Sequence, residues 1–191
     1  MTGVDFKALA STFIKRDGIN ELMQWLNSTD FYAAPASARY HLNEVGGLYR
    51  HSIYVYYRLR RLCNDEAKNN KLFKCPSDET IAIVGLFHDL CKVNYYKLEM
   101  GNKKTESGKW VRVPIYQVDE TFPLGHGEKS LYIVSRYMRL TEEEALSIRW
   151  HMGAWGLSDY RDLNNAMERY PLVALTQTAD VLATYLDEVK V

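Results

Sequence analysis

Residues 81–92 read IAIVGLFHDLCK: an apolar run from Ile81 to Phe87, then His88, Asp89 and, three positions later, Lys92. The preceding Pro76-Ser77-Asp78-Glu79 predicts a helix start, with Ser77 as N-cap and two acids in the positive first turn. The helix then runs through Ile81, Val84 and His88. A carboxylate entering such an apolar element is costly unless a cation or hydrogen bonds compensate it. Asp180 poses the same problem in TQTADVLATYL (176–186), flanked by Ala179 and Val181. Five histidines accompany these acids: His41, His51, His88, His126 and His151. Imidazole is largely uncharged near pH 7 and ligates metals without first losing a proton. Two aspartates in apolar helices among several histidines are the makings of a buried metal site built on helices.

The rest of the chain is mostly of helical period. Leu48, Ser52, Val55, Leu59 and Leu62 recur at intervals of three or four and mark one buried face. Thr141 followed by Glu144 is a capping-box pattern opening a helix toward Trp150. Tyr170 to Glu188 is the last helical stretch, with Leu172, Leu175, Ala179, Leu182 and Leu186 as its expected core stripe. One segment departs from the pattern. VNYYKLEM (93–100) and KWVRVPIYQV (109–118) are strand-like runs separated by the polar Gly101 to Gly108 stretch, which predicts a β-hairpin with Pro114 on an edge. The expectation is a single all-α domain over 1–191 with an inserted hairpin at about 93–118. Residues 1–38 would form an N-terminal helical arm and 39–191 the metal-binding core.

The 191 residues are 47% hydrophobic and 25% charged, as in ordinary globular domains. Lys plus Arg (24) balances Asp plus Glu (24), so no global field would steer a long polyanion or hold the chain on an acidic membrane. Long nucleic acid is not an expected partner, although a small anion needs only a local positive site. Cys63, Cys75 and Cys91 form no CxxC pair, and their odd number suits reduced thiols. The longest apolar run, Ile81 to Phe87, is too short to span a bilayer, and MTGVDFKALASTF has no apolar signal core. A cytoplasmic, soluble protein is the resulting expectation.

The order His51, His88-Asp89, Asp180 resembles the HD superfamily of metal-dependent phosphohydrolases. GGLYRHS (46–52) is similar to the first-ligand helix of the branch that includes the HD domain of a bacterial 3′–5′ exoribonuclease. LFHDLCK (86–92) resembles that branch's helix end, with Cys91 where glycine is common. LGHGEKS (124–130) and IRWHMGAW (148–155) resemble the two further histidine motifs of dinuclear members, and TADVLATYLDE (178–188) the final aspartate helix. The lead-in FYAAPASARYH (31–41) is shared with small stand-alone HD hydrolases. The resemblance implies an HD-domain helical bundle in which His51, His88, Asp89 and Asp180 hold one divalent ion. Asp89 would bridge to a second ion held by His126 and His151. Mn, Fe, Co, Ni and Zn all suit such donors, so the choice among them stays open, as does the oligomeric state.

The implied activity is hydrolysis of a phosphoester in a nucleotide or short oligonucleotide by a metal-activated water, with Asp89 and Lys92 as catalytic residues. Lys92 shares the face of His88 and Asp89 if the helix continues; it then either offers charge to a substrate phosphate or anchors Asp89. Lys129, three residues after His126, reaches the same pocket or is a solvated helix lysine. His41 contacts substrate or makes a helix-entry hydrogen bond. Trp110, Trp150 and Trp155 either stack on a base or belong to the core, the commoner place for aromatics at such spacing. Trp110 is the exception: beside Lys103, Lys104, Lys109 and Arg112, it belongs either to a basic lid that stacks on a base or to a charge-blunted edge. Arg58, Arg60 and Arg61 read as a solvated face. Gly125 to Ser130 lacks the glycine that a phosphate-binding loop requires before its lysine, where Glu128 stands. A di-iron oxygenase on the same fold and a non-catalytic nucleotide-sensing module are the alternatives. Oxygen-dependent bond cleavage would mark the first, and tight binding of unchanged nucleotide the second.

Overall fold

The computed structural model describes residues 3–155 and 159–188, apart from the side chain of residue 4. Among these lie eight α-helices: α1 (Gly3–Phe13), α2 (Ile19–Asn27), α3 (Gly47–Asn69), α4 (Asp78–Phe87), α5 (His126–Ser135), α6 (Glu142–Arg149), α7 (Arg161–Arg169) and α8 (Leu172–Leu182). A 3₁₀ turn (Leu90–Lys92) follows α4, and a π-helical turn (Ala183–Asp187) extends α8. The hairpin strands β1 (Tyr96–Lys104) and β2 (Trp110–Val118) make an antiparallel two-stranded sheet. None of the described helices is long and apolar enough to cross a membrane.

Helix α4 is the hub. Every residue from Thr80 to Phe87 is buried, as expected of a helix apolar on all sides. Ser77 Oγ accepts from the Thr80 amide and starts it. Around it pack α1, α3 and α6, while α8 lies on α3 and α6. Phe6, Ala10, Ile14, Leu22, Leu26 and Phe31, from the first 38 residues, lie in the same buried cluster as Leu48, Ile53, Leu59 and Leu86.

Two glycines set the spacing of the helices that carry the histidines. A Cβ on Gly85 would sit 2.7 Å from Tyr56 Cα, so α3 and α4 cross with their backbones in contact. His51 lies five residues before that crossing and His88 three after it. A Cβ on Gly127 would meet the Arg149 carbonyl at 1.9 Å, which brings the start of α5, with His126, against the end of α6, just before His151.

Two local expectations are corrected. Gly101 lies within β1 opposite Val113, and the turn is confined to 105–109, where the Thr105 amide donates to the Lys109 carbonyl and Gly108 takes a φ of 80°. The stripe of α8 also does not reach Leu186, which is 62% exposed. Widening from i+4 to i+5 bonding in the π turn shifts the phase of the last residues. Leu186 turns out to solvent and Glu188 turns in, to 6% exposure. Arg58 holds this turn to α3 through paired bonds of 2.7 Å to both carboxylate oxygens of Asp187.

Candidate metal centre

Asp89, 2% exposed, stands where α4 gives way to the 3₁₀ turn, and its two oxygens face different groups of imidazoles. Oδ1 lies 2.9 Å from His126 Nε2 and 3.7 Å from His151 Nε2. Oδ2 lies 3.6 Å from His51 Nε2 and 4.0 Å from His88 Nε2. On this second side His51 Nε2 also approaches Asp180 Oδ1 at 3.2 Å and His88 Nε2 at 3.2 Å. The two half-sites are thus His51, His88 and Asp180 on one side and His126 and His151 on the other, with Asp89 between them.

The hydrogen bonds of the opposite ring nitrogens fix the tautomers. His88 Nδ1–H donates to the Gly85 carbonyl (2.9 Å) and His151 Nδ1–H to the Ile148 carbonyl (2.7 Å). A carbonyl only accepts, so each neutral ring presents a bare lone pair at Nε2. The His151 Nε2 atom is buried and has no hydrogen-bond partner. Leaving a buried acceptor unsatisfied costs about 1–3 kcal/mol. A cation held among Asp89, His126 and His151 satisfies it, and these nitrogen and oxygen donors suit a divalent transition metal.

Charge balance points the same way. Burial disfavours the His51 imidazolium, but hydrogen bonds to Asp180 and Glu188 outweigh this and raise its pKa to about 10. A cation in place of the Nε2 proton answers Asp180, while Nδ1–H stays on Glu188. His88, deeply buried beside His151 and His51, is pushed down to about 3 and is neutral. Burial raises the Asp89 carboxyl, yet Lys92 and the neighbouring His126 and His151 hold it well below the usual range. Asp180 is lowered by the His51 contact against the same burial penalty.

The six expected ligands are brought together; the four expected substrate residues diverge. Lys92 does not continue α4. The chain leaves the α-helix at His88, and the 3₁₀ turn folds Lys92 Nζ back to 2.6 Å from Asp89 Oδ2, so it anchors the shared carboxylate at the edge of the centre. Lys129 is no solvated lysine. It is 6% exposed, bonded to Glu120 Oε1 at 2.8 Å and set over the Tyr95 ring. His41 donates from Nδ1 to Glu188 Oε2 at 2.5 Å and stacks edge-on against His51. Trp110 is 68% exposed beside the hairpin turn, eight register steps from Tyr96, about 26 Å at 3.3 Å per residue. Trp155, expected in the core, is 83% exposed, whereas Trp150 belongs to a small cluster with Leu163 and Val173.

Glu188 is the member that sequence reasoning missed. Its Oε1 accepts from His51 Nδ1 at 2.7 Å while Oε2 accepts from His41, which turns His51 Nε2 toward Asp89 and Asp180. Carboxylates in this position orient a ligating imidazole and raise its basicity. The available signal was an acid closing an apolar helix, the feature that singled out Asp89 and Asp180. The π turn hid it, because a regular helix puts residue 188 off the face of Asp180. Glu188→Gln is expected to weaken metal binding roughly 10–100-fold, read by metal titration of the purified variant. Unchanged affinity would show that Glu188 only closes the helix.

Fold and site together define a helical protein whose histidines and aspartates, most of them buried, converge from five elements on one shared carboxylate. The model of the HD domain matches residues 48–185, and the chain belongs to that family, named for the doublet seen here as His88-Asp89. HD domains are in general metal-dependent hydrolases. No curated protein and no solved structure matches the chain.

Proposed function

We propose that the protein is a metal-dependent phosphohydrolase acting on a phosphoester of a nucleotide or short oligonucleotide, with two divalent ions. The observation that carries this reading is the division of Asp89, one oxygen toward each group of histidines. His51, His88 and Asp180 would hold one ion, His126 and His151 the other, and Asp89 both. Ions so held supply a water acidic enough to ionise near neutral pH and positive charge against the phosphoryl oxygens. Lys92 fixes the shared carboxylate and, being 12% exposed, presents its remaining N–H donors at the edge of the centre to a phosphate oxygen. Asp89 and Lys92 are therefore the residues assigned to catalysis, and none is required as a covalent nucleophile. His41 supports the centre through Glu188, which also holds His51, whereas Lys129 is tied up by Glu120.

The test is elemental analysis of the freshly purified protein, followed by assays of nucleotides, cyclic nucleotides and short RNA or DNA. Chelator-sensitive hydrolysis with about two ions per chain is expected. Metal-loaded protein that hydrolyses none of these, or converts one only with dioxygen, overturns the reading.

The hairpin bears on substrate length. Tyr96, at its base, neighbours Lys92, whereas Trp110 stands at its far end among Lys103, Lys104, Lys109 and Arg112. A mononucleotide bound at the metals does not span the roughly 26 Å of strand to Trp110; a chain of several nucleotides does. Trp110→Ala is expected to raise the KM of an oligonucleotide about fivefold, the low end of base–aromatic stacking, with that of a mononucleotide unchanged. Equal effects on both would remove Trp110 from substrate binding.

A further inference from the structure

Cys91 lies beside Asp89 and His126, two of the three members of the half-site that His151 completes, and is 3% exposed. Its Sγ is 3.5 Å from Asp89 Oδ1 and 3.4 and 3.5 Å from the two ring nitrogens of His126. The position is built. Cys91 follows Asp89 by two residues in the 3₁₀ turn, and its amide donates to Ser130 Oγ at 3.0 Å, tying the turn to α5, the helix that begins with His126. A second observation points to a ligand at the same place: His151 Nε2 is buried, without a partner, and faces the same oxygen of Asp89.

We propose that Cys91 is a further ligand of the ion held by Asp89, His126 and His151, bound as thiolate, and that it biases this half-site toward thiophilic ions. The distances fit. With metal–sulfur near 2.3 Å and metal–nitrogen near 2.0–2.1 Å, tetrahedral donors stand about 3.6 Å apart. Before binding, the thiol donates to Asp89 Oδ1. On binding, the S–H bond breaks, sulfur gives an electron pair to the ion, and the proton passes to the buffer. The other half-site offers only nitrogen and oxygen, so the two become chemically unequal: Zn²⁺, Co²⁺ and Fe²⁺ gain at the sulfur-bearing one over Mn²⁺ and Mg²⁺. This inference rests on the two-ion reading above.

The experiment is titration of the metal-depleted protein with Co²⁺ in a Cys75→Ser background, since Cys75 is exposed and Cys63 is buried in α3 away from the centre. The expected result is two bound equivalents, one of which brings a sulfur-to-cobalt charge-transfer absorption. Adding Cys91→Ser removes that absorption, keeps both equivalents, and lowers the Zn²⁺ over Mn²⁺ preference of one of them by about tenfold or more, beyond the weakest outer-shell effects. Two equivalents with no charge-transfer band, or a band that survives Cys91→Ser, overturns the role of Cys91 and leaves the two-ion reading standing. Fewer than two equivalents at saturation, again without the band, overturns both. Should Cys91→Ser fail to fold, the presence or absence of the band in the parent protein decides.

Discussion

Asp89→Ala is expected to strip the protein of bound metal and to lower turnover by more than about a thousandfold, beyond the 10–100-fold typical of outer-shell losses. The size follows from the position. Each of the other proposed ligands would serve one side of the centre, whereas Asp89 faces His126 and His151 with one oxygen and His51 and His88 with the other. Its loss also leaves the Lys92 ammonium, 12% exposed, without the carboxylate 2.6 Å away. An unpaired cation there repels a divalent ion, so the substitution removes attraction and adds repulsion together. Asp89→Asn keeps the shape but gives up the charge and one acceptor, and should fail nearly as completely. Elemental analysis with phosphate release, on variant protein whose helical circular dichroism matches the parent, is the measurement. Stoichiometric metal with undiminished turnover would sink the scheme.

The parts of this centre that were readable in the sequence are those governed by local rules. Ser77 and Thr141 start their helices as side-chain acceptors for amides three residues on, and these caps need no tertiary context. The cost of a charge in an apolar helix made Asp89 and Asp180 conspicuous, and the family motifs supplied the histidines. What escaped depended on departures from the ideal helix. The π turn exchanges Leu186 for Glu188 on the buried face, and only the 3₁₀ turn showed that, of the two roles open to Lys92, anchoring Asp89 is the one formed. Lys129 escaped for another reason: its burial depends on Glu120 and Tyr95, which belong to other segments. The hairpin was readable as an element, but which of the two readings of Trp110 holds depended on strand length and register, which put it 68% exposed beside the turn at the far end from Tyr96.

Arg16→Ala is expected to destabilise the fold by about 3–5 kcal/mol, the usual cost of breaking a buried ion pair by removing one partner. Arg16, between α1 and α2, meets Glu144 with both terminal nitrogens, 2.5 Å to Oε2 and 2.9 Å to Oε1, and also reaches Glu79 and the Arg139 carbonyl. Glu144 is fully buried. Its other donors are the Thr80 hydroxyl and the Thr141 amide, both neutral, so without Arg16 its charge is buried and uncompensated. At roughly 2–4 °C per kcal/mol for a chain of this size, the low end of that cost lowers Tm by about 6–12 °C. Arg16→Lys keeps the charge, loses the fork, and should fall between. The pH dependence separates electrostatics from packing. Burial raises the Glu144 carboxyl, but Arg16, Thr141 and Thr80 outweigh it and hold the group below its ordinary value of 4.5. A depressed folded value means that the stabilisation is complete above that pH and fades as the carboxylate takes up its proton. In Arg16→Ala the burial penalty is no longer offset, so acid neutralises a harmful charge rather than a useful one. The Tm difference between parent and variant should therefore be largest near pH 7, begin to shrink as the variant's burial-raised Glu144 takes up its proton, and shrink further below about pH 4.5 as the parent's does. An equal difference at pH 7 and pH 4 would mean that Arg16 acts by filling space between the first two helices and the core, and that its charge contributes nothing to holding them there.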